Sequence, residues 1–223
     1  MDMSKAFDMV KWSEFFSTLL HHKINPLFLG LLFYIYKNQQ YTVKSGDATA
    51  QFFKVSNGVC QGGVSSGIFF VIYIDKLLTL LRKSGFGCLI HGVFYGAVIY
   101  ADEIFLLSAS RIGWQEMVNI SQKFVKTLSL KFGTDSNPEK SKTKCIAFTK
   151  KRRAIQSLKP IILDEQALPW VEQVKHLGHT LQVDNSMRKD INLKRGAFTG
   201  KVNSILQDFY FVDSEVLMKL VTA

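Results

Sequence analysis

Residues 93–107 have the sequence VFYGAVIYADEIFLL, in which Tyr100-Ala101-Asp102-Glu103 lies between two apolar runs. The runs are rich in β-branched and aromatic residues, which predicts two strands joined as a hairpin. Two adjacent carboxylates would then lie at the turn, beside buried strands. Neighbouring negative charges at such a place are costly unless a cation compensates them. A divalent metal ion would provide that compensation, but acidic residues in turns are mostly solvated, so the turn alone leaves both interpretations open.

Outside this stretch, the spacing of apolar residues predicts helices mixed with short antiparallel strands, which favours an α+β fold over a doubly wound sheet. Helices are predicted at Ser13–His22, Pro26–Tyr36, Ile68–Arg82, Trp114–Lys131, Met187–Gln207 and from Ser214 onward, and strands at Gln40–Lys44, Ala50–Val55, Thr143–Phe148 and within Pro160–Val183. A glycine-rich loop at 58–67 precedes the third helix. The 47% hydrophobic content is enough for a packed core, which excludes a disordered chain.

The chain is strongly basic, with 28 Lys and Arg against 18 Asp and Glu and a net charge of +10. Such an excess favours polyanionic partners, nucleic acid first and acidic membrane surfaces second. Every charged residue between Lys140 and Leu163 is basic, which indicates either a solvated loop or contact with a phosphate backbone. The apolar run Pro26–Tyr36 is too short to span a bilayer, so no membrane-spanning segment is predicted, and nucleic acid rather than a membrane is the expected partner.

The cysteines predict a reducing compartment. Cys60, Cys88 and Cys145 are widely spaced and form no Cys-x-x-Cys pattern. This argues against a zinc site and against a disulfide framework. We therefore expect an intracellular protein, either cytoplasmic or nuclear.

Five short motifs follow one another along the chain. They are Asp2-Met3-Ser4-Lys5-Ala6-Phe7-Asp8, Gly58-Val59-Cys60-Gln61-Gly62-Gly63-Val64-Ser65-Ser66, Tyr100-Ala101-Asp102-Glu103, Asn137-Pro138-Glu139-Lys140-Ser141 and Lys175-His176-Leu177-Gly178. Each motif alone is a weak or moderate signal. In this order, and across most of the chain, they resemble the palm domain of reverse transcriptases from non-LTR (LINE-type) retrotransposons.

The resemblance implies RNA-directed DNA synthesis by two-metal nucleotidyl transfer. Asp2 and Asp102 match the family's catalytic carboxylates, and Met3 matches the residue whose carbonyl completes one metal's ligand shell. Glu103 matches the second acid of the hairpin, where the family has Asp. The implied cofactor is a pair of Mg²⁺ ions, with Mn²⁺ as an alternative, since these cations prefer oxygen ligands. The implied partners are an RNA template, a DNA primer and a deoxynucleoside triphosphate (dNTP).

The resemblance also assigns nucleotide-binding residues. Phe7 matches the position whose ring excludes a ribose 2′-hydroxyl, although an ordinary core aromatic is the alternative interpretation. Gln61 and Gly62 match the loop that meets the incoming nucleotide and the template base. An ordinary helix-entry loop is the alternative for this pair.

Two further roles come from the later motifs. Lys140 matches a proposed general acid toward pyrophosphate, and the alternative is a solvated turn lysine. Leu177 and Gly178 match a primer-gripping hairpin, and the alternative is a simple β-turn.

The implied architecture is a palm-like antiparallel sheet with helices on one face at residues 1–183, and the start of a helical thumb at 184–223. The family's fingers and a central strand precede the first catalytic acid, whereas only Met1 precedes Asp2 here. We therefore expect a chain truncated at both ends and lacking fingers. We also expect an unpaired sheet edge beside the acidic hairpin, with Asp2 on a poorly ordered terminus. Because the fingers that would hold the triphosphate are missing, and because Glu103 adds a methylene group where placement matters, we expect the isolated chain to be inactive.

Three functional interpretations remain open at this point. The first is a magnesium-dependent reverse transcriptase palm that works within a longer protein or complex. The second is a decayed retroelement remnant that acts at most as a basic nucleic-acid-binding module. The third is a protein-interaction domain that exposes the unpaired sheet edge.

Overall fold

The computed structural model describes residues 1–135, 137, 140–149 and 158–222, without the side chains of 217 and 220–222. It consists of helices mixed with short antiparallel strand pairs, which confirms the α+β prediction. The chain divides into two compact units, Met1–Lys144 with Pro160–Pro169, and Cys145–Lys159 with Trp170–Ala223. The predicted boundary between 183 and 184 stays a prediction. The basic run at 150–153 lies outside the described residues.

The helices of the first unit lie close to where the apolar spacing placed them. They are α1 (Trp12–His21), α2 (Pro26–Asn38), α3 (Ser66–Lys83) and α4 (Arg111–Thr127). The side chain of Asn25 accepts a hydrogen bond from the Leu27 amide at 2.9 Å, and Pro26 occupies the first turn. The Ser110 hydroxyl accepts one from the Gly113 amide at 3.0 Å. These caps satisfy amides that have no partner within the helix, so they fix where α2 and α4 begin.

The strands of the first unit are short and form antiparallel pairs in sequence order. They are β1 (Lys44–Ser45) with β2 (Ala48–Thr49), β3 (Leu89–Ile90) with β4 (Val93–Phe94), β5 (Ala97–Tyr100) with β6 (Glu103–Leu106), and β7 (Ile161–Leu163) with β8 (Gln166–Leu168). The apolar run before the acidic turn is therefore divided at Gly96. A Cβ on Gly96 would lie 2.5 Å from the Phe94 ring and 3.0 Å from the Gly87 Cα, so a larger residue there would require the Phe94 ring to move.

Three of the predicted strands were wrong in extent. Around the turn at 46–47, the predicted strands Gln40–Lys44 and Ala50–Val55 reduce to two-residue strands and a single bridge between Tyr41 and Phe53. Most of these residues are exposed, so no core face selects a longer ladder. The predicted strand Thr143–Phe148 forms only one bridge, from Cys145 to Trp170.

Helix α3 is the centre of the first unit and packs against α1, α4 and β5. Its inner face carries Phe70, Ile74, Leu77 and Leu81, all fully buried. Their spacing of three or four residues puts them on one side of the helix. Burying each such side chain contributes about 1.5–3 kcal/mol, so this stripe holds the scaffold under the acidic hairpin.

The second unit contains β9 (Gln173–His176) paired with β10 (His179–Gln182), followed by α5 (Arg188–Asp208) and α6 (Ser214–Thr222). Helix α5 packs against β10 and α6. Within the described part of the chain, no helix combines the length and the apolar character needed to cross a membrane.

Candidate active site at the acidic hairpin

The predicted hairpin is present as β5–β6, but only one of the two acids lies in its turn. Tyr100 pairs with Glu103, so Ala101 and Asp102 form a two-residue turn. Ala101 has a φ of +50°, a left-handed conformation that is common in such tight turns. Asp102 therefore lies in the turn, and Glu103 is the first residue of β6. The two acids occupy different positions, although they are adjacent in sequence.

The first acidic motif pairs directly with this hairpin. Asp2 forms an antiparallel bridge with Glu103, and the Met3 amide donates to the Asp102 carbonyl oxygen at 3.2 Å. The Ile104 amide donates a hydrogen bond to the Met1 carbonyl oxygen at 2.7 Å. Residues 1–3 therefore supply main-chain partners for the start of β6, so the expectation that Asp2 lies on a poorly ordered terminus was wrong. The unpaired sheet edge stays a prediction.

Asp2 is also held on its other side. The Gly133 amide donates to the Asp2 carbonyl oxygen at 2.8 Å, and the Ser4 amide donates to the Lys131 carbonyl oxygen at 2.9 Å. The Met3 side chain between them is 1% exposed. Residues 1–4 thus lie between β6 and residues 131–133, and the Asp2 backbone is fixed by hydrogen bonds on both edges.

The carboxylates of this site affect one another. Burial raises the pKa of Asp102 above its usual value, and the negative charges of Asp2 and Glu103 raise it further. A main-chain hydrogen bond and the positive charge of Lys142 act in the opposite direction. The protonated, neutral form of Asp102 is therefore favoured more than in a solvated aspartate.

Lys142 is a site residue that the sequence analysis missed. Its Nζ lies 3.4 Å from Oδ2 of Asp2. Lys140, the predicted general acid, is exposed, and its amide donates to the Asn137 carbonyl oxygen at 3.1 Å. Residues 138 and 139 of this motif lie outside the described part of the chain. The signal available in the sequence was only a second lysine two positions after Lys140, so the role predicted for Lys140 stays a prediction.

The donor set suits a hard divalent cation. Among residues 1–135, 137, 140–149 and 158–222, no group of three or more His, Cys, Asp or Glu side chains is arranged to hold a metal ion. Magnesium does not require such a group, because proteins commonly bind it through one or two carboxylates together with substrate phosphates. Asp2 and Asp102 supply two carboxylates on adjacent segments. The negative charges of these two carboxylates repel each other, and a bound cation would reduce that repulsion.

The glycine-rich loop is docked onto the other end of the first motif. The Val59 amide donates to the Phe7 carbonyl oxygen at 2.8 Å, and Gln61 Nε2 donates to Asp8 Oδ1 at 3.2 Å. Gly58 has a φ of +92°, and a Cβ there would meet Asp8 and Phe7 backbone atoms at 3.2–3.3 Å. Residues 2–8 therefore join the acidic hairpin at one end and the loop at the other.

Phe7 is half-buried, and its ring stacks on that of Phe70 of α3, with centroids 5.2 Å apart and planes at 28°. Gln61 and Gly62 are exposed, and no atom lies within 4 Å of the place where a Cβ on Gly62 would be. The ring of Phe7 is thus held in one position beside a loop that is open to solvent. The nucleotide-binding roles of these residues stay predictions.

In the second unit, Leu177 and Gly178 form the two-residue turn between β9 and β10, with φ values of +47° and +76°. The turn is tied to α5 through Asp190. Its carboxylate accepts from the Thr180 amide at 2.8 Å and lies 3.0 Å from Lys194 Nζ. Hydrogen bonding by Thr180, and then by Lys194, lowers the pKa of Asp190 to about 2.

Comparison with known proteins identifies relatives of the chain. Residues 1–181 match the model of the family described as reverse transcriptase (RNA-dependent DNA polymerase). The chain is 26% identical over 135 residues to the Retrovirus-related Pol polyprotein from type-2 retrotransposable element R2DM of Drosophila melanogaster, a match that covers 60% of this chain and 13% of that protein. It is 23% identical over 198 residues to the corresponding polyprotein from type-1 retrotransposable element R2 of Nasonia vitripennis, covering 86% of this chain and 19% of that one.

A third relative is the 149 kDa protein of transposon TX1 from Xenopus laevis, which is 30% identical over 110 residues, or 48% of this chain and 8% of that protein. The chain therefore spans less than a fifth of the length of each of these relatives.

Proposed function

Because this chain belongs to the reverse transcriptase family, we propose that it carries the catalytic carboxylates of an RNA-directed DNA polymerase encoded by a non-LTR retrotransposon. The observation that carries the proposal is the pairing of Asp2 with Glu103 and of Met3 with Asp102. This pairing brings two acidic motifs that are far apart in sequence to one edge of a strand pair. A catalytic metal site requires carboxylates from separate elements to converge in this way.

The proposed reaction is nucleotidyl transfer. The 3′-hydroxyl of the primer releases its proton to solvent, and its oxygen forms a bond to the α-phosphorus of a dNTP. The bond from the α-phosphorus to the oxygen that bridges to the β-phosphorus breaks, and pyrophosphate leaves with that oxygen. Magnesium, when bound, supplies charge neutralisation on the phosphates and activation of the hydroxyl. The side chains of Asp2 and Asp102, with the main-chain carbonyl of Met3 and the Glu103 carboxylate, are the groups that we propose to hold two such ions.

We assign the nucleotide to the surface between the hairpin and the glycine-rich loop. The stacking of Phe7 on Phe70 supports a rigid wall that would exclude a ribose 2′-hydroxyl. The exposure of Gln61 and Gly62 supports their contact with a base or a phosphate. For Lys140, and for the turn at 177–178, the proposed roles toward pyrophosphate and primer rest on motif order.

We also propose a palm-like sheet in which residues 1–4 form a central strand. Their hydrogen bonds to β6 on one edge and to residues 131–133 on the other support this arrangement. Such a strand would carry Asp2 at the middle of the sheet, where preorganisation of a charged site is most effective.

The proposal is tested by measuring Mn²⁺ binding and primer extension with the purified chain on poly(A)/oligo(dT). We expect Mn²⁺ to bind, and we expect Asp102→Ala to abolish binding, whereas Asp208→Ala, an exposed acid of α5, leaves it unchanged. Equal binding by the Asp102 variant would overturn the assignment of the site. Because Glu103 is longer than aspartate, and a misplacement of about an ångström can cost about 100-fold in rate, we expect no extension by this chain alone. Extension that requires Asp102 would correct that expectation and establish the reaction.

A second candidate function is a basic nucleic-acid-binding module without turnover. Helix α5 favours it, because most of the helix is exposed and its charged residues are mostly basic. The exposed basic residues are Arg188, Lys189, Lys194, Arg195 and Lys201. Each phosphate contact that they make contributes about −0.9 to the slope of log K against log salt concentration on duplex DNA. Binding with such a slope that is unaffected by Asp102→Ala, in a chain that binds no Mn²⁺, would favour this function over the first.

A further inference from the structure

Lys142 is placed opposite Asp2 by the backbone and not only by its own side chain. The Gly133 amide donates to the Asp2 carbonyl oxygen at 2.8 Å, and the Gly133 carbonyl oxygen accepts from the Thr143 amide at 3.0 Å. Ser141 and Thr143 are both buried, at 2% and 0% exposure. Lys142, which lies between them in sequence, is exposed, so its side chain points away from the core and reaches Asp2.

The aliphatic part of Lys142 also has a defined path. A Cβ on Gly133 would lie 3.2 Å from both Cβ and Cδ of Lys142. The absence of a side chain at Gly133 therefore lets the lysine lie across that residue and reach the carboxylate. Its Nζ is 3.4 Å from Asp2 Oδ2, and the charge is near enough to act on Asp102.

We propose that Lys142 is the resident counter-ion of the acidic site in its metal-free state, and that it weakens the binding of the first divalent cation. The inference rests on the proposed function, because it assumes that Asp2 and Asp102 bind the metal. The ammonium group and a metal ion compete for the same Asp2 oxygen. They also repel each other, so the lysine must leave Asp2 before the metal can bind there with full strength.

The expected size of this effect follows from the exposure of the pair. Lys142 is 62% exposed and Asp2 is 28% exposed, so the ion pair is screened by solvent and contributes at the level of surface pairs. The divalent charge increases the repulsion over that of a single charge. We therefore expect removal of the lysine charge to tighten binding of the first Mn²⁺ about fivefold.

The experiment measures Mn²⁺ binding at constant pH and low ionic strength, by electron paramagnetic resonance of the unbound ion, for the unmodified chain and three variants. Lys142→Gln should bind about fivefold more tightly. Lys142→Arg keeps the charge and should retain the affinity of the unmodified chain. Lys131→Gln removes the same charge from an exposed lysine two residues before Gly133 and should change the affinity much less.

The unfolding temperature of each variant is measured as well, without and with metal, to detect misfolded variants. Without metal, Lys142→Gln should unfold at a lower temperature than Lys131→Gln, because Asp2 and Asp102 lose their counter-ion, and saturating Mn²⁺ should remove that difference. Equal affinities for Lys142→Gln and Lys131→Gln, or weaker binding by Lys142→Gln, would overturn the role of Lys142 while leaving the metal site intact. Loss of Mn²⁺ binding in every protein, including the unmodified chain, would overturn both the inference and the proposed function.

Discussion

Replacement of Gly58 by alanine tests how the glycine-rich loop is held against the first motif. Gly58 has a φ of +92°, and an added Cβ would lie 3.2 Å from the Asp8 carbonyl oxygen and 3.3 Å from both Asp8 Cα and the Phe7 carbonyl oxygen. A left-handed conformation costs alanine about 1–2 kcal/mol, and crowding in a packed region costs about 1–3 kcal/mol. Because the contacted atoms are backbone, they cannot rotate away. We expect Gly58→Ala to lower the free energy of unfolding by about 3 kcal/mol.

Gly85→Ala is the matched control for the conformational part of this cost. Gly85 follows the C-terminal end of α3 with a φ of +75°, and nothing lies within 4 Å of the place where its Cβ would be. Its replacement should cost only about 1 kcal/mol. Urea unfolding of both variants, followed by circular dichroism, gives the difference. A cost for Gly58→Ala no larger than that for Gly85→Ala would refute the idea that close backbone contact fixes the loop.

Three further outcomes follow from the same contacts. Asp190→Asn should lower the unfolding temperature at pH 7 more than Asp208→Asn does. The difference between the two variants should disappear as the pH falls from 3.8 to about 2, because a carboxylate with a lowered pKa stabilises the fold only while it is charged. Asp102→Asn should raise the metal-free unfolding temperature at neutral pH, and this gain should vanish on acidification toward pH 3.8, because the raised pKa of Asp102 makes its charged form unfavourable in the fold. An unchanged temperature for either variant across this pH range would contradict the assigned cause. Leu177→Gly should increase the free energy of unfolding by about 1 kcal/mol, measured in urea, because glycine adopts the φ of +47° without strain; a loss of stability would show that the leucine side chain matters more than the turn.

The local part of the site could be predicted from the sequence because its determinants are local. Two β-branched runs around Ala101-Asp102 can pair only as a tight hairpin, and the structure has that register. The amphipathic spacing of α3 and the caps at Asn25 and Ser110 similarly depend on neighbouring residues. Such features are encoded within a few positions of where they act.

The non-local part could not be predicted from these patterns. Residues 1–4 have no strand-like alternation, and their pairing with β6 and with residues 131–133 arises because both segments present unpaired main-chain groups to them. The contact of Lys142 with Asp2 is also non-local, because the lysine side chain lies across Gly133, where a side chain would crowd it. The motif resemblance points to Lys140 and not to Lys142. It compares the order of residues along the chain, and that order does not show which of the two lysines contacts Asp2.

The position of residues 1–4 between two later segments has a consequence for how the protein folds. Asp2 has its neighbours only when β6 and residues 131–133 are both in place. Forming the site therefore brings together residues that are about 100 and about 130 positions apart, and contacts at such separation form slowly. Helices α1 and α3 pack on each other across a shorter loop, so they can form before that event. The acidic site should therefore be among the last parts of the first unit to gain protection from hydrogen exchange during refolding, even though it begins at the second residue of the chain.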